Sequence, residues 1–192
     1  AIEAFNRAHQ LNPDSASVLK SIADAYKNNK QYEEALDLYE RVIEMDPNLT
    51  NAYLSKGECL QTMKEYDNAI DAFNQALLID SNLTAAWRGI GNTYSTLKQY
   101  EDAIDAFDKA YQLDPGSTSI LKSKADALFN IERFDEALIL YDMALGINPN
   151  LTSALTKKGE ALAALDNTEE AFVIYYNIIK AKNNDGKVEG HG

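Results

Sequence analysis

A repeat of 34 residues runs through most of the chain. Pro13 and Pro47 lie 34 residues apart, as do Pro115 and Pro149, and Ser81 stands at the midpoint of the 68-residue gap between the pairs. A unit of this length cannot bury its own apolar face, so the sequence predicts a linear array of units that pack on their neighbours. The same spacing relates two further sets of residues: Ala1, Ala35, Ala69, Ala103, Ala137 and Ala171, and Phe5, Tyr39, Phe73, Phe107, Tyr141 and Tyr175.

Each unit has the pattern of two helices joined by a short turn. In the first complete unit, apolar residues recur about every 3.6 positions over residues 17–28, pause at 29–31 and resume over 32–45. Proline then ends the unit, because it cannot continue a helix. Acidic residues open most second helices, where they oppose the positive end of the helix dipole. They are Glu33, Glu34, Glu101, Asp102, Asp135, Glu136, Glu169 and Glu170.

Small residues recur early in each unit, where two antiparallel helices must approach closely. They are Ala23, Gly57, Gly91, Ala125 and Gly159. The repeated aromatic residues are predicted to fill the space between successive units, which suits bulky rings with few rotatable bonds. The sequence therefore predicts an all-α fold without strands.

Composition excludes several classes of function. The chain has 192 residues, of which 45% are hydrophobic and 25% charged, as in ordinary folded proteins. Its net charge of −12 argues against nucleic acid and anionic membranes, which attract basic surfaces. No apolar run approaches the roughly 20 residues that would span a bilayer, and no secretory signal is visible. Because Cys59 is the single cysteine, we predict a reducing, cytoplasmic location.

The third complete unit resembles the tetratricopeptide repeat family most closely. It reads Trp87-x-x-Ile90-Gly91-x-x-Tyr94, followed by Ala103-x-x-x-Phe107 and then Pro115. The resemblance implies a right-handed α-solenoid, a superhelix whose first helices line a concave groove. Proteins of this family are typically adaptors, docking modules or assembly platforms.

The resemblance sets the predicted domain organisation. The array covers residues 1–185: the second helix of a partial repeat at 1–15, then repeats at 16–49, 50–83, 84–117, 118–151 and 152–185. Residues 186–192 are predicted to form a disordered tail. Since Ala1 already lies inside a helical pattern, we expect further sequence upstream of it.

No arrangement of residues suited to catalysis is visible. His9 and His191 lie at opposite ends of the chain, so neither is expected to pair with Cys59, which we interpret as a buried packing residue. No Cys/His cluster has metal-ligand spacing, and the glycines form no phosphate-binding loop. We therefore predict no enzyme activity, no cofactor and no metal.

Three segments have the form of glycosylation sites, and all three fall at the turn between repeats. At this place asparagine suits the turn and threonine opens the next helix, an interpretation that we prefer to glycosylation. The segments are Asn48-Leu49-Thr50, Asn82-Leu83-Thr84 and Asn150-Leu151-Thr152.

The family resemblance implies which first-helix residues face the groove. Lys20 with Asp24, and Lys122 with Asp126, have the i,i+4 spacing of ion pairs, whereas Arg88 meets the neutral Asn92 and is predicted to be the least neutralised cation. The alternative is that a nearby acid such as Glu58 holds Arg88. The predicted peptide-binding residues are Lys20, Ser55, Arg88, Gly89, Asn92, Lys122, Ser123 and Lys157.

Some members of this family bind a partner's terminal carboxylate through a clamp of basic residues and asparagines on consecutive first helices. Arg88 and Asn92 match its first two positions, but Ser123 stands where a second asparagine is expected. Ser153 replaces a lysine, and Lys157 restores a cation. The match to this clamp is therefore partial, and an acidic or carboxyl-terminal peptide is the expected guest.

The predicted function is a non-catalytic scaffold that binds a protein or peptide in the groove. One alternative is the substrate-recruiting arm of a larger enzyme, and another is a self-assembling structural platform. The second alternative depends on the ends of the array, where the apolar residues Ile2 and Phe5 and an apolar last helix lack covering neighbours. The last helix carries Phe172, Val173, Ile174, Tyr175, Tyr176, Ile178 and Ile179.

Overall fold

Ten α-helices make up the part of the chain that the structure, a computed structural model, describes: the backbone of residues 15–188 and the side chains of residues 15–181. No strand occurs between residues 15 and 188, which confirms the all-α prediction. His9, His191 and the partial repeat before residue 15 lie outside the described residues. The helices are α1 Ala16–Asn28, α2 Tyr32–Met45, α3 Thr50–Thr62, α4 Tyr66–Ile79, α5 Thr84–Thr96, α6 Tyr100–Leu113, α7 Thr118–Asn130, α8 Phe134–Ile147, α9 Thr152–Ala164 and α10 Thr168–Val188.

The helices fall into two compact units, one ending at Lys98 and the other beginning at Gln99. In the first unit each helix from α1 to α4 packs on the helix that follows it, and the first helices α1, α3 and α5 also touch in succession. In the second unit each helix from α6 to α9 packs on the next, and α7 touches α9. Both units are thus built from consecutive helix-turn-helix pairs.

The turn inside each repeat contains one residue with a left-handed backbone. The φ angle of Lys30 is 62° and that of Lys64 is 66°, and the three equivalent residues Lys98, Glu132 and Asp166 lie at 61–62°. In the second repeat the amide of Glu65 then donates to the carbonyl of Leu60 at 2.9 Å, which closes the end of the helix. None of the five is glycine, although glycine adopts this conformation with least strain.

The turn between repeats is held by a side chain that accepts a backbone hydrogen bond. The carboxylate of Asp46 accepts from the amide of Asn48 at 3.1 Å, and Asp80 accepts from Asn82 at 3.0 Å. The amide oxygen of Asn148 accepts from Asn150 at 3.2 Å. The second asparagine of each turn thus has a structural role, as the sequence interpretation of these segments proposed.

Aromatic rings occupy the space that the small residues leave. Phe73 is fully buried, and its ring lies between Gly57 of its own repeat and Gly89 of the next one. A Cβ atom on Gly57 would stand 2.6 Å from Cε1 of the ring, and one on Gly89 would stand 2.7 Å from Cζ. Gly159 and Tyr175 repeat this contact at 2.8 Å. Both helices can pack on the ring only because the glycines have no side chain.

Lysines on first helices form ion pairs with acids on the preceding second helix. The pairs are evenly spaced along the sequence, with the acid 16 residues before the lysine, yet the sequence pattern alone did not reveal them. They join Lys56 to Glu40 at 3.0 Å, Lys158 to Asp142 at 2.5 Å, and Lys124 to Asp108.

Helix α10 is longer than the sequence predicted. It reaches Val188, so three residues of the predicted tail 186–192 are helical, and residues 189–192 lie outside the described part. Asn183 stands where other repeats have proline, so nothing in the sequence stops the helix there.

We expect Gly57→Ala to lower the free energy of unfolding by about 1–3 kcal/mol, because the new methyl group would overlap the Phe73 ring. Gly146→Ala is the matched control, since a Cβ atom there meets nothing within 4 Å and alanine favours α8 by about 0.5–1 kcal/mol. Urea unfolding of both variants checks this. Equal effects of the two substitutions would contradict the ring-packing account.

Lys64→Gly should instead raise the free energy of unfolding by about 0.5–1 kcal/mol, because glycine relieves the left-handed conformation at φ 66°. Asn74→Gly, at an exposed site inside α4, should lower it by about 0.5–1 kcal/mol. Thermal unfolding of the two variants separates backbone relief from a general effect of glycine. A loss of stability in Lys64→Gly would contradict the interpretation.

Candidate peptide-binding groove

The first helices of the first unit form a continuous surface, because α1 packs on α3 and α3 packs on α5. We call this surface the first-helix face. Gln61 of α3 fastens it by donating to the hydroxyl of Thr93 in α5 at 3.0 Å, and Thr93 donates in turn to the carbonyl of Gly89 at 2.8 Å. Thr93 is fully buried, so this link fixes the spacing of the two helices. The sequence pattern gave no sign of it.

Three lysines on the first helices of this unit are held in ion pairs. Lys20 lies 2.8 Å from Asp24, as the i,i+4 spacing predicted. Lys27 of α1 lies 2.6 Å from Glu58 of α3, and the third lysine is Lys56, already described. The alternative that Glu58 holds Arg88 is therefore wrong, since a lysine of the preceding first helix occupies this carboxylate.

Arg88 differs from these lysines. Its side chain is exposed on α5, and within residues 15–98 no carboxylate lies at ion-pair distance from it. Asn92, one turn further along, is half-buried. In the described part of the first unit, Arg88 is thus the first-helix cation that remains available to a guest.

The small residues of the predicted groove are buried. Ser55 has 7% of its surface exposed, and Gly89 lies against the Phe73 ring. The missing side chain of Gly89 therefore makes room for the ring in the core. A role of Gly89 and Ser55 in contacting a peptide stays a prediction.

The predicted groove residues of the second unit are also charged and paired. Lys122 lies 2.5 Å from Asp126, again at the predicted i,i+4 spacing, and Lys157 lies 2.6 Å from Glu160. The ammonium group of Lys157 also stands over the ring of Phe129, 4.6 Å from its centroid, in a cation–π contact. Ser123 is half-buried beside Lys122.

The predicted clamp divides between the two units. Arg88, Gly89 and Asn92 belong to the first unit, whereas Lys122, Ser123 and Lys157 belong to the second. A joint anion-binding site made by both groups stays a prediction.

A buried tyrosine completes a three-residue network in each unit. Tyr39 donates to Asp24 at 2.6 Å, and Tyr141 donates to Asp126 at 2.7 Å. Burial tends to raise the pKa of Asp24, but the hydrogen bonds from Lys20 and Tyr39 together outweigh it and lower this pKa below its ordinary value. Burial and the neighbouring carboxylate raise the pKa of Tyr39.

The sequence contained a signal for these networks that the repeat pattern hid. Aspartate at this first-helix position occurs together with tyrosine at the aromatic position of the same repeat, at 24 and 39 and again at 126 and 141. Where the first position is Glu58 or Asn92, the aromatic residue is phenylalanine.

Cys59 is fully buried against Ala23, Ala35 and Tyr39. Burial raises the pKa of its thiol to about 11, so the reactive thiolate is scarce at neutral pH. The predicted packing role is confirmed. Among the residues that the structure describes, no group of histidine, cysteine and acidic side chains has the geometry to hold a metal ion.

The described helices and their order of packing define an all-α helical-repeat protein. The tetratricopeptide repeat family matches residues 48–116 and again residues 96–158, and the family of anaphase-promoting complex, cyclosome, subunit 3 matches residues 1–76. The chain belongs to the tetratricopeptide repeat family. No curated protein sequence matches the chain significantly, and no described helix is both long and apolar enough to cross a membrane.

Solved structures of other repeat proteins share the fold. YrrB, a tetratricopeptide repeat protein with an unusual peptide-binding site, is 25% identical over 91% of this chain and 90% of its own, with a TM-score of 0.75. MamA is 19% identical over 86% of this chain and 97% of its own, with a TM-score of 0.81. MamA from Desulfovibrio magneticus RS-1 reaches a TM-score of 0.83 at 16% identity, covering 88% of this chain and 96% of its own.

Tyr39→Phe should lower the free energy of unfolding by about 1–2 kcal/mol near pH 7, because it removes a hydrogen bond to a partly exposed carboxylate. Since the pKa of Asp24 is lower in the folded state, this stabilisation is complete above the unfolded pKa of about 3.9 and is lost as the pH falls through the folded value.

Urea unfolding of wild type and variant near pH 7 and near pH 3 tests this, and the difference should shrink at the lower pH. Tyr53→Phe, at a half-buried tyrosine of α3, is the control and should show no such pH dependence. A Tyr39→Phe effect of the same size at both pH values would contradict a contribution from the charged form of Asp24.

Proposed function

We propose that the chain is a non-catalytic scaffold that binds a peptide segment of a partner protein on its first-helix face, with Arg88 as the principal charged contact. One observation carries the proposal. Of the four basic residues on the first helices of residues 15–98, Lys20, Lys27 and Lys56 are paired with carboxylates, whereas Arg88 is exposed without one.

The chemistry of Arg88 favours an anionic group on the guest. A guanidinium offers a planar fork that holds a carboxylate through two parallel hydrogen bonds, and it remains charged at all physiological pH values. Asn92 lies one helical turn away on the same face and supplies a neutral amide donor. An acidic peptide, or one that ends in a free carboxylate, is therefore the expected guest.

The non-catalytic part of the proposal rests on the described cysteine. Cys59 is buried and its thiol pKa is raised, so it is a poor nucleophile. The peptide-binding site of YrrB is consistent with a binding role for a chain of the same fold. The cytoplasmic location and the alternative of a recruiting arm within a larger enzyme stay predictions.

Arg88→Ala should weaken the binding of an acidic peptide by about 1.5–3 kcal/mol, the scale of a hydrogen bond to a charged group, which is roughly tenfold or more in affinity. The probes are two acidic peptides of equal sequence, one with a free and one with an amidated carboxyl terminus, titrated by calorimetry at low and moderate salt. If the terminal carboxylate is the recognised group, amidation and Arg88→Ala should have similar effects that do not add.

Lys109→Ala is the control for net charge, because Lys109 is an exposed cation on the second helix α6. It should leave the affinity unchanged to within about 0.5 kcal/mol. Equal affinities of wild type, Arg88→Ala and Lys109→Ala would refute a binding role of Arg88.

A further inference from the structure

Helix α10 exposes large apolar side chains on one face. Phe172, Tyr176 and Ile179 are 69%, 55% and 59% exposed. Their spacings of four and three residues place them side by side along the helix, and the rings of Phe172 and Tyr176 stack with centroids 6.3 Å apart. We call these three residues the α10 stripe.

The equivalent surface of α2 shows what covers such positions elsewhere. Leu36, four repeats before Phe172, packs against a buried cluster that includes Cys59 of the following helix α3. Val42, four repeats before Ile178, is fully buried together with Ala52 of the same helix. The α10 stripe and Ile178 thus belong to the kind of surface on which α2 carries a following helix.

An open cavity beside the stripe has the size and lining of a seat for a helix. Its volume is about 670 Å³, and its apolar lining comes from Leu155 of α9 with Ile174 and Ile178 of α10. These residues continue the apolar surface of α10 around the helix from the stripe. The same helix therefore carries both a projecting apolar stripe and an apolar seat.

Tyr176 makes this surface chemically different from those between repeats. At the equivalent positions Glu40, Asp108 and Asp142 each bind a lysine of the following first helix. A tyrosine cannot form that ion pair, so the α10 surface favours an occupant that presents an apolar side chain in place of a lysine.

We propose that a second copy of this chain covers the α10 stripe, with the two α10 helices packed antiparallel about a two-fold axis. In a two-fold contact each stripe meets the same surface of the partner, so both are covered at once. Glu170 lies at the amino end of α10 and Lys180 near its other end, and both are exposed. Antiparallel packing brings the acid of one copy to the lysine of the other, which fixes the direction of the helices.

The first test measures the mass of the full chain by sedimentation equilibrium from about 1 to about 1,000 μM. The mass should rise from one chain to two and stop there. Phe172→Glu and Ile179→Glu, each at an exposed site, should raise the dimer dissociation constant by about tenfold or more, because a buried apolar contact becomes an unpaired charge.

Leu78→Glu is the matched control, since Leu78 is 79% exposed on α4, away from the stripe, and the added charge is the same. It should leave the dissociation constant unchanged, as should Arg88→Ala, which separates this contact from peptide binding. Circular dichroism of each variant checks that the helices are intact.

The second test reverses charges. Glu170→Lys alone and Lys180→Glu alone should each weaken the dimer, and the double variant should restore it, because antiparallel packing again pairs opposite charges. A chain that stays monomeric throughout, growth of the mass beyond two chains, equal effects of Phe172→Glu and Leu78→Glu, or no rescue in the double variant would each overturn the proposal.

Discussion

The packing of an aromatic ring between glycines of successive first helices fixes the geometry of the first unit. Phe73 reaches the core only because Gly57 and Gly89 have no side chains there. Because the ring is rigid, the two helices are held at a set distance, and the link from Gln61 to Thr93 fastens them at that distance. The polar side chains of the first helices then share one face, and every feature of the candidate groove depends on this spacing.

Charge pairing decides which part of that face can bind. Lys20, Lys27 and Lys56 compensate acids of the same unit, so their charge contributes to cohesion between and within helices. Arg88 has no such acid in the first unit, and its fork therefore keeps its capacity for a carboxylate. The net charge of −12 makes an exposed cation unusual on this chain, which sharpens the contrast between Arg88 and its surroundings.

Departures from the repeat pattern identify the sites with separate roles. Tyrosine replaces phenylalanine at the aromatic position of the repeats in which a nearby aspartate accepts its hydroxyl, and this adds a polar network to an apolar core. Tyr176 replaces an acid at the position where other repeats form an ion pair, and this changes the partner that α10 favours. Both changes leave the helices unaltered, since they affect side chains that the backbone pattern does not constrain.

The sequence by itself determined the all-α fold, the helix pairs and the buried role of Cys59, because periodicity and proline placement act over a few residues. It also indicated the Lys20–Asp24 and Lys122–Asp126 pairs, whose partners are one turn apart. Only the tertiary structure decided that Glu58 binds Lys27, that Gly89 faces Phe73 and that α10 leaves its stripe uncovered. Those contacts join residues of different repeats, or depend on which helix packs next, and local patterns carry no record of such distances.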